Sequence, residues 1–506
     1  MRLSLKFSLS VVLGATLVCG VTGAADPPSE RVKVEGFAVV RVAHNGGASY
    51  GKMRVEPVDG GSDIYLFGPV SGRDENPATY AGWLDPGTYR FLRMEDASSW
   101  GLGTLYTSLE FEGFELPTFT VEAGGLVDLG TWLVQPIGDR VAIALLDDAG
   151  AFGQGRGNKR LDEAAAAFTA PPTRWNGAAV WSAGASASEL LEASKRATGI
   201  MRPPQFDDEG NAYFASVLGQ VVRRTSRGEW RNLDTGTLDS LNSLVIDGAN
   251  IYASAEQHRL LQSADGGVTW ASAEVPVDGN VTAIARLPNG DFIAAIAATD
   301  DDDTQLLRGP DLLALPPTPW KTLETGATPS HLVPTALAGP VKDRLIVWTN
   351  PRSLYVYDIP TDSWTSSRGK RLLGELYVNG PAGLVYSAAP MSSEAVSVGV
   401  RLIDGLISSD GGTSWQSVEL GRHNGYGFKD RMNGIAIGVS VFGGQNWVET
   451  TSDGGTTWKR LEKEMPGFCD AVQYLPPTDE LVCMTSSGRI LSTRTGEEWT
   501  TERNGL

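Results

Sequence analysis

Histidine and cysteine are scarce in this chain, and bases fall well short of acids. Of 506 residues only four are His and three are Cys, while 42 Lys and Arg face 60 Asp and Glu, a formal charge of −18 at pH 7. His44, His258, His331 and His423 are scattered without ligand spacing, so no metal site is indicated. There is no phosphate loop and no Cys–His arrangement, and nothing calls for a cofactor. The acid excess repels phosphate backbones and anionic lipid heads, which argues against a nucleic-acid partner. Past the first 25 residues no stretch is apolar enough to span a bilayer. The run Asp300-Asp301-Asp302-Asp303 lacks the alternating ligands and turn glycine of a calcium loop and reads as a solvated loop tip.

What the chain does have is tryptophan at nearly even intervals. Trp230, Trp270, Trp320, Trp364, Trp415, Trp458 and Trp499 are separated by 40, 50, 44, 51, 43 and 41 residues. A period of roughly 40 to 50 residues is the length of one four-stranded propeller blade, so seven blades are expected. Three of these tryptophans close the same phrase. Ser263-Ala264-Asp265-Gly266-Gly267-Val268-Thr269-Trp270 is one copy, Ser408 to Trp415 (with Asp410 and Gly412) the second, and Thr451 to Trp458 (with Asp453 and Gly455) the third. Glycine tolerates the positive φ of a hairpin turn, and the Asp and Ser or Thr oxygens can accept bonds from turn amides. Trp then opens the next strand and packs between sheets. Turn chemistry alone accounts for Asp265, Asp410 and Asp453, so their reading is structural.

The phrase resembles the Asp box, or BNR repeat, S/T-x-D-x-G-x-S/T-W. That resemblance implies a β-propeller of the sialidase-like superfamily, with the box joining the third and fourth strands of a blade away from the axis. Four further units are worn. Ser492 to Trp499 keeps Ser, Gly and Trp but has Arg494 in place of Asp; Thr225 to Trp230 keeps a turn glycine; Leu354 to Trp364 resembles a kelch hairpin; Pro316 to Trp320 retains only the Trp. Between them run short apolar strands such as Asn250 to Ala255 and Phe292 to Ala297, suited to burial on both faces.

Upstream, Arg2 and Lys6 precede an apolar run from Phe7 to Val21 and then Thr22-Gly23-Ala24-Ala25, the order of a secretory signal peptide over residues 1–25. Val18 ahead of Cys19 departs from a lipoprotein signal, so cleavage after Ala24 or Ala25 and an exported, periplasmic or extracellular protein are expected. Residues 31–140 carry seven short strands punctuated by Gly, Pro and Asp and read as a β-sandwich. Leu84-Asp85-Pro86-Gly87-Thr88-Tyr89 resembles the turn-to-strand feature of transthyretin-like sandwiches. Residues 141–199 read as a connector, helical over Lys159 to Phe168 and Ala187 to Ala197, and 200–506 as the propeller. Cys469 and Cys483 flank a hairpin around Pro476-Pro477. Opposed strand positions would bring them within bridging distance, and two free buried thiols are the alternative.

The expected fold is therefore all-β, a sandwich followed by a seven-bladed propeller. The expected function is non-enzymatic binding of a protein or glycan partner, in the manner of exported propellers such as the photosystem II assembly factor (Ycf48-like) group. The alternative is a sialidase-like glycoside hydrolase. Such enzymes carry an F/Y-R-I-P phrase in the first blade, an arginine cluster, a Tyr–Glu pair and an acid/base Asp. Here Met201-Arg202-Pro203-Pro204 matches only in Arg202 and the final Pro, and sialidases have six blades.

Overall fold

The computed structural model describes residues 28–504 apart from short internal segments, the longest being 147–160, 176–185, 324–335 and 389–404. The proposed signal segment, most of Lys159 to Phe168, Asp300 to Asp302 and His331 lie outside the described residues. The chain divides into two compact units, Met1–Ser194 and Lys195–Leu506.

The first unit opens with a one-turn helix, α1 (Pro28–Arg31), and contains β1 (Gly36–Ala43), β2 (Lys52–Pro57), β3 (Ile64–Phe67), β4 (Ala78–Leu84), β5 (Gly87–Trp100), β6 (Gly103–Glu110), β7 (Phe119–Val121), β8 (Leu126–Ile137), β9 (Arg140–Leu146) and β10 (Thr173–Arg174). Hydrogen bonds link them in the order β10-β8-β1-β4-β3-β2-β5-β6, with β7 on β5 and β9 on β8. Only one residue pair, Phe67 with Ala81, joins β3 to β4. The path thus narrows between a β8–β1–β4 part and a β3–β2–β5–β6 part, and both parts contribute to one core around Trp132, Phe91, Met53 and Val40. The period-2 alternation of β1 sends Ala38, Val40 and Val42 into that core. Phe37 and Val39 go to the opposite face, against Leu126 and Leu161.

β4, β9 and the two-residue β10 were not expected from sequence. In β4, Ala81 and Gly82 offer little side chain to announce a strand, and the close packing explains them: a Cβ on Gly82 would lie 3.1 Å from the Tyr65 carbonyl. β9 continues the sheet past residue 140, into the stretch read as connector. The helix expected near Ala187 is present as α2 (Ala187–Arg196). Ser186 and Glu189 form a reciprocal capping box at its start, each accepting the other's backbone N–H at 3.2 and 2.8 Å.

The second unit is a series of four-stranded antiparallel sheets, each made of consecutive strands. They are β11 (Gln205–Phe206), β12 (Ala212–Ala215), β13 (Gln220–Arg224) and β14 (Trp230–Asp234); β15 (Leu241–Asp247), β16 (Asn250–Ala255), β17 (Arg259–Ser263) and β18 (Ala271–Glu274); β19 (Asn280–Arg286), β20 (Phe292–Ala297), β21 (Thr304–Gly309) and β22 (Lys321–Leu323). Next come β23 (Ala336–Val341), β24 (Arg344–Thr349), β25 (Ser353–Asp358) and β26 (Ser363–Arg368); β27 (Glu375–Asn379), β28 (Leu384–Ala388), β29 (Gly405–Ser408) and β30 (Gln416–Val418). The last two sheets are β31 (His423–Phe428), β32 (Gly434–Gly438), β33 (Trp447–Thr451) and β34 (Lys459–Arg460); and β35 (Ala471–Leu475), β36 (Glu480–Met484), β37 (Ile490–Thr493) and β38 (Thr500–Arg503).

First strands of successive sheets neighbour one another, as β15 does β19, β19 does β23 and β23 does β27, so the first strand is innermost. Middle strands are apolar on both sides because both sides are covered. In β20, Phe292, Ala294 and Ile296 pack toward Tyr252 and Leu260 of the second sheet, while Ile293 and Ala295 pack toward Leu345 and Val347 of the fourth. The array closes on itself. Ala212, Phe214 and Val222 of the first sheet share a cluster with Leu475, Val482, Met484 and Ile490 of the last. A closed ring of meander sheets is a β-propeller.

Candidate binding face

A four-stranded meander puts its 1–2 and 3–4 turns at one end and its 2–3 loop, with the link to the next sheet, at the other. All three intact boxes are 3–4 turns, between β17 and β18, β29 and β30, and β33 and β34. They therefore share one end of the ring. Trp230 and Trp364 lie within the first two residues of β14 and β26; Trp270, Trp320, Trp415, Trp458 and Trp499 immediately precede β18, β22, β30, β34 and β38. Each enters the outermost strand of a different sheet.

The boxes repeat one hydrogen-bond pattern. The Ser263 hydroxyl donates to Asp265 at 2.8 Å and accepts the Gly267 amide at 2.8 Å. Asp265 accepts the Thr269 amide at 2.9 Å and hydroxyl at 2.6 Å, and the Trp270 indole donates to the Gly267 carbonyl at 3.2 Å. Ser408, Asp410, Gly412, Ser414 and Trp415 form the same set, with the indole bond at 2.9 Å. Thr451, Asp453, Gly455 and Thr457 repeat the hydroxyl, carboxylate and amide bonds. Gly267 is required twice over: its φ is +91°, and a Cβ would lie 2.7 Å from Leu233 of the preceding sheet.

These bonds favour the ionised acids. The Thr269 hydroxyl and amide and the Ser263 hydroxyl hold the Asp265 carboxyl down to about 2. Thr457 and Thr451 do the same for Asp453, also to about 2. At Asp410 partial burial works the other way, but Ser414 and Ser408 outweigh it and the carboxyl again lies at about 2. The seventh sheet carries a shortened version. There Thr493, not Ser492, accepts the Gly496 amide at 2.8 Å, and the Trp499 indole donates to Gly496 at 3.1 Å.

Tyrosine–carboxylate pairs also gather at this end. Tyr213, Tyr357 and Tyr474 donate to Asp207, Asp362 and Asp479 within 1–2 or 3–4 hairpins of three different sheets. Burial, with the Asp207 and Glu209 carboxylates, pushes the Tyr213 phenol up to about 12 against the pull of Arg223. Burial and Asp362 likewise raise the Tyr357 phenol, so Tyr213 and Tyr357 stay protonated and serve as donors.

The opposite end is built differently. There the 2–3 loop of the first sheet, the link between the first two sheets and the 2–3 loop of the second interlock. The Gly219 amide donates to the Asp239 carbonyl at 3.0 Å, Leu241 to Ser216 at 2.9 Å and Glu256 to Ser240 at 2.9 Å. Asp239, Ser240, Glu256 and His258 are all buried. Asp239 takes the Thr237 hydroxyl at 2.9 Å and lies 3.2 Å from the Arg259 guanidinium. The Ser240 and Ser254 hydroxyls are buried with no hydrogen-bond partner among the described residues. Sequence reasoning missed this cluster, because residues from three loops meet only when two sheets pack; His258, at φ +66°, had only its isolation to mark it.

Arg202 precedes β11 at this same end, and its amide continues the β11–β12 ladder through the Ala215 carbonyl at 2.8 Å. Asp303 directly precedes β21. Among the described residues no group of three His, Cys, Asp or Glu side chains is placed to hold a metal. Cys469 and Cys483 are joined in a disulfide with Cα atoms 5.6 Å apart, and both are fully buried.

No family model matches the sequence, and no curated protein does either. Similar solved structures include a Ycf48 bound to a D1 peptide, at 14% identity, covering 59% of this chain and 93% of that one, with a TM-score of 0.41. A xyloglucanase from Xanthomonas campestris matches at 16% identity over 61% of this chain and 55% of its own, with a TM-score of 0.41. The Pan2 WD40 domain of Neurospora crassa matches at 10% identity over 61% and 90%, with a TM-score of 0.43. All three scores fall below 0.5, so the propeller stands on the sheet order and its closure.

Proposed function

We propose that this protein is an exported, non-catalytic, seven-bladed propeller of the Asp-box type, preceded by a β-sandwich unit. In this reading it binds a protein or glycan partner across the end of the ring opposite the boxes. One observation supports the choice of end above others: the box acids are bonded within their own turns, leaving those groups little to offer a partner. The other end instead presents loops held in place by buried polar groups around Asp239 and Glu256. Such a rim suits loop-borne recognition on a rigid scaffold. The acidic surface favours partners that are basic or neutral rather than nucleic acid. An amino-terminal signal peptide, cleaved near residue 25, delivers the chain to the periplasm or exterior.

The test is cross-linked capture from an envelope fraction with the mature protein and two variants matched in thermal midpoint. Leu238→Asp alters the half-buried link between the first two sheets, and Val268→Asp alters an exposed box tip. Capture lost with Leu238→Asp and kept with Val268→Asp is expected. The reverse pattern overturns the assignment of the face.

A further inference from the structure

The last strand of the ring carries a one-residue bulge. Against β37, Arg503 lies opposite Ile490 and Thr501 opposite Leu491, so Glu502 has no ladder partner of its own. A bulge re-aims side chains, and here two consecutive residues both reach the first sheet. Glu502 accepts from Arg224 and from the Trp230 indole. The Arg503 guanidinium donates to the Asn232 carboxamide oxygen at 3.1 Å, and the nitrogen of that carboxamide donates to the Lys195 carbonyl at 2.5 Å. One side chain on β14 thus fixes Arg503 beside the peptide that leads into Arg196.

Around this carboxamide, cations are left over. Lys195 pairs with Asp234 at 2.6 Å, and Glu502 is taken by Arg224. Neither Arg196 nor Arg503 has a carboxylate within ion-pair distance among the described residues. Burial, and then the Arg196 charge, lower the Arg503 pKa, and no acid works against them. Arg196 is exposed at the end of α2, where a cation suits the helix dipole, so by itself it calls for nothing. Arg503 has no such reason: it is half-buried beside a like charge, in a chain where 60 acids outnumber 42 bases. The backbone beyond Arg196 is held as well. A Cβ on Gly488, in the 2–3 loop of the last sheet, would lie 2.4 Å from the Ala197 carbonyl.

We propose that Arg196 and Arg503 form a binding site for a dianionic oxyanion of the phosphate or sulfate type, bridged between the two guanidinium groups. Two positive charges match two negative ones, and the planar fork of each guanidinium suits paired, charge-assisted bonds to such oxygens. An anion there offsets both the burial of Arg503 and its repulsion by Arg196. Asn232 is a positioning residue: it takes one N–H of Arg503 and leaves the others for the ligand. Arg503 ends the fourth strand of its sheet, so the site lies at the end of the ring away from the boxes. It does not depend on a partner binding across that end. It is a local exception on a surface that otherwise turns anions away.

The experiment is calorimetric titration of the mature protein with inorganic phosphate, inorganic sulfate and phenyl phosphate, at constant ionic strength with chloride as the balancing ion. Saturable binding of one equivalent is expected, with a rise in thermal midpoint. Arg196→Gln and Arg503→Gln should each weaken it at least tenfold. Arg231→Gln should leave it unchanged, because neighbouring positions on a strand face opposite sides and Arg231 points away from Asn232. Arg196 is exposed, so Arg196→Gln should keep the wild-type midpoint in chloride, which separates loss of binding from loss of fold. Phenyl phosphate binding more tightly than the inorganic ion would assign the site to an ester on a larger molecule, and the reverse order to the ion itself. Absent or non-saturable binding overturns the proposal. So does an equal loss in Arg231→Gln, which would be a response to net charge.

Discussion

Arg224 and Glu502 are 278 residues apart in sequence and joined by two hydrogen bonds, at 2.8 and 2.6 Å. Arg224 ends the third strand of the first sheet, and Glu502 lies in the last strand of the last. The same guanidinium reaches Glu480 at 2.7 Å, and the Trp230 indole donates to Glu502 at 2.6 Å. No strand is shared between the first and last sheets, since each is built from consecutive strands. The ring is therefore held shut at this seam by side chains: the apolar cluster around Phe214 and Ile490, with this ion group beside it.

Removing one member of a buried ion pair leaves the others uncompensated, which costs about 3 to 5 kcal/mol. Arg224 and Glu502 are 3% and 8% exposed, so Arg224→Met should fall in that range in urea unfolding of the second unit. Arg224→Met with Glu502→Gln should cost less than the two single changes added together, because the pair couples. Additive losses would mean that the seam does not depend on the pair.

Asp410→Ala removes a carboxylate that accepts the Ser414 amide and hydroxyl at 2.9 and 2.6 Å. The loss resembles that of a helix cap, about 0.5 to 2 kcal/mol. Asp265→Ala and Asp453→Ala should lower the midpoint in the same direction, and partner binding should survive all three. Binding lost at full stability would make these residues functional.

The box acids also set a direction with pH. Their folded pKa values, at about 2, lie below the ordinary value of 3.8. The unfolded chain therefore takes up protons first as pH falls. The stability they contribute is fully present above about pH 4 and is lost as pH drops through about 2. Glu502 adds to this trend: burial raises its carboxyl, but Arg224, Ser492 and Trp230 outweigh burial and lower it. The midpoint of the second unit should be flat above pH 5 and fall steeply below 4, and the triple Asp→Ala variant should fall less steeply.

The boxes were legible because each is a local phrase: Ser263, Asp265, Gly267 and Trp270 bond to one another within eight residues. The repeat of Trp carried the sheet order for the same reason, since every sheet is a local meander. What sequence could not carry was long-range. β4, whose partner β1 lies well back in the chain, was missed because Ala81 and Gly82 are small where neighbours crowd in; β9 is local, pairing back on β8, and was missed because it falls past residue 140 in the stretch read as connector. The Asp239–Glu256–His258 cluster and the Arg224–Glu502 seam depend on packing between sheets. No spacing rule reports such contacts.

Cys469 lies beside the innermost strand of the last sheet and Cys483 in the second, so their bridge closes a short loop. For a loop of about 15 residues, constraint of the unfolded chain is worth about 3 kcal/mol. Cys469→Ser with Cys483→Ser should lose roughly that amount, with the same circular dichroism spectrum at 25 °C. An unchanged midpoint would show that the bridge adds nothing beyond packing.

The last expectation concerns catalysis: the purified mature protein should hydrolyse neither sialosides nor β-glucans. A sialidase-like site needs an arginine cluster and a Tyr–Glu nucleophile pair converging at one mouth of the ring. Tyr213, Tyr357 and Tyr474 bond to aspartates at the box end instead, in three separate sheets. Burial raises the Tyr213 phenol to about 12, the wrong direction for a nucleophile. At the other end Asp239 is taken by Thr237 and Arg259, and the Arg202 amide is part of a strand ladder. The measurement is an assay on fluorogenic sialosides and glucosides, followed by Arg202→Ala. Turnover by the wild type that disappears in Arg202→Ala, at an unchanged thermal midpoint, would replace the binding reading with the glycosidase.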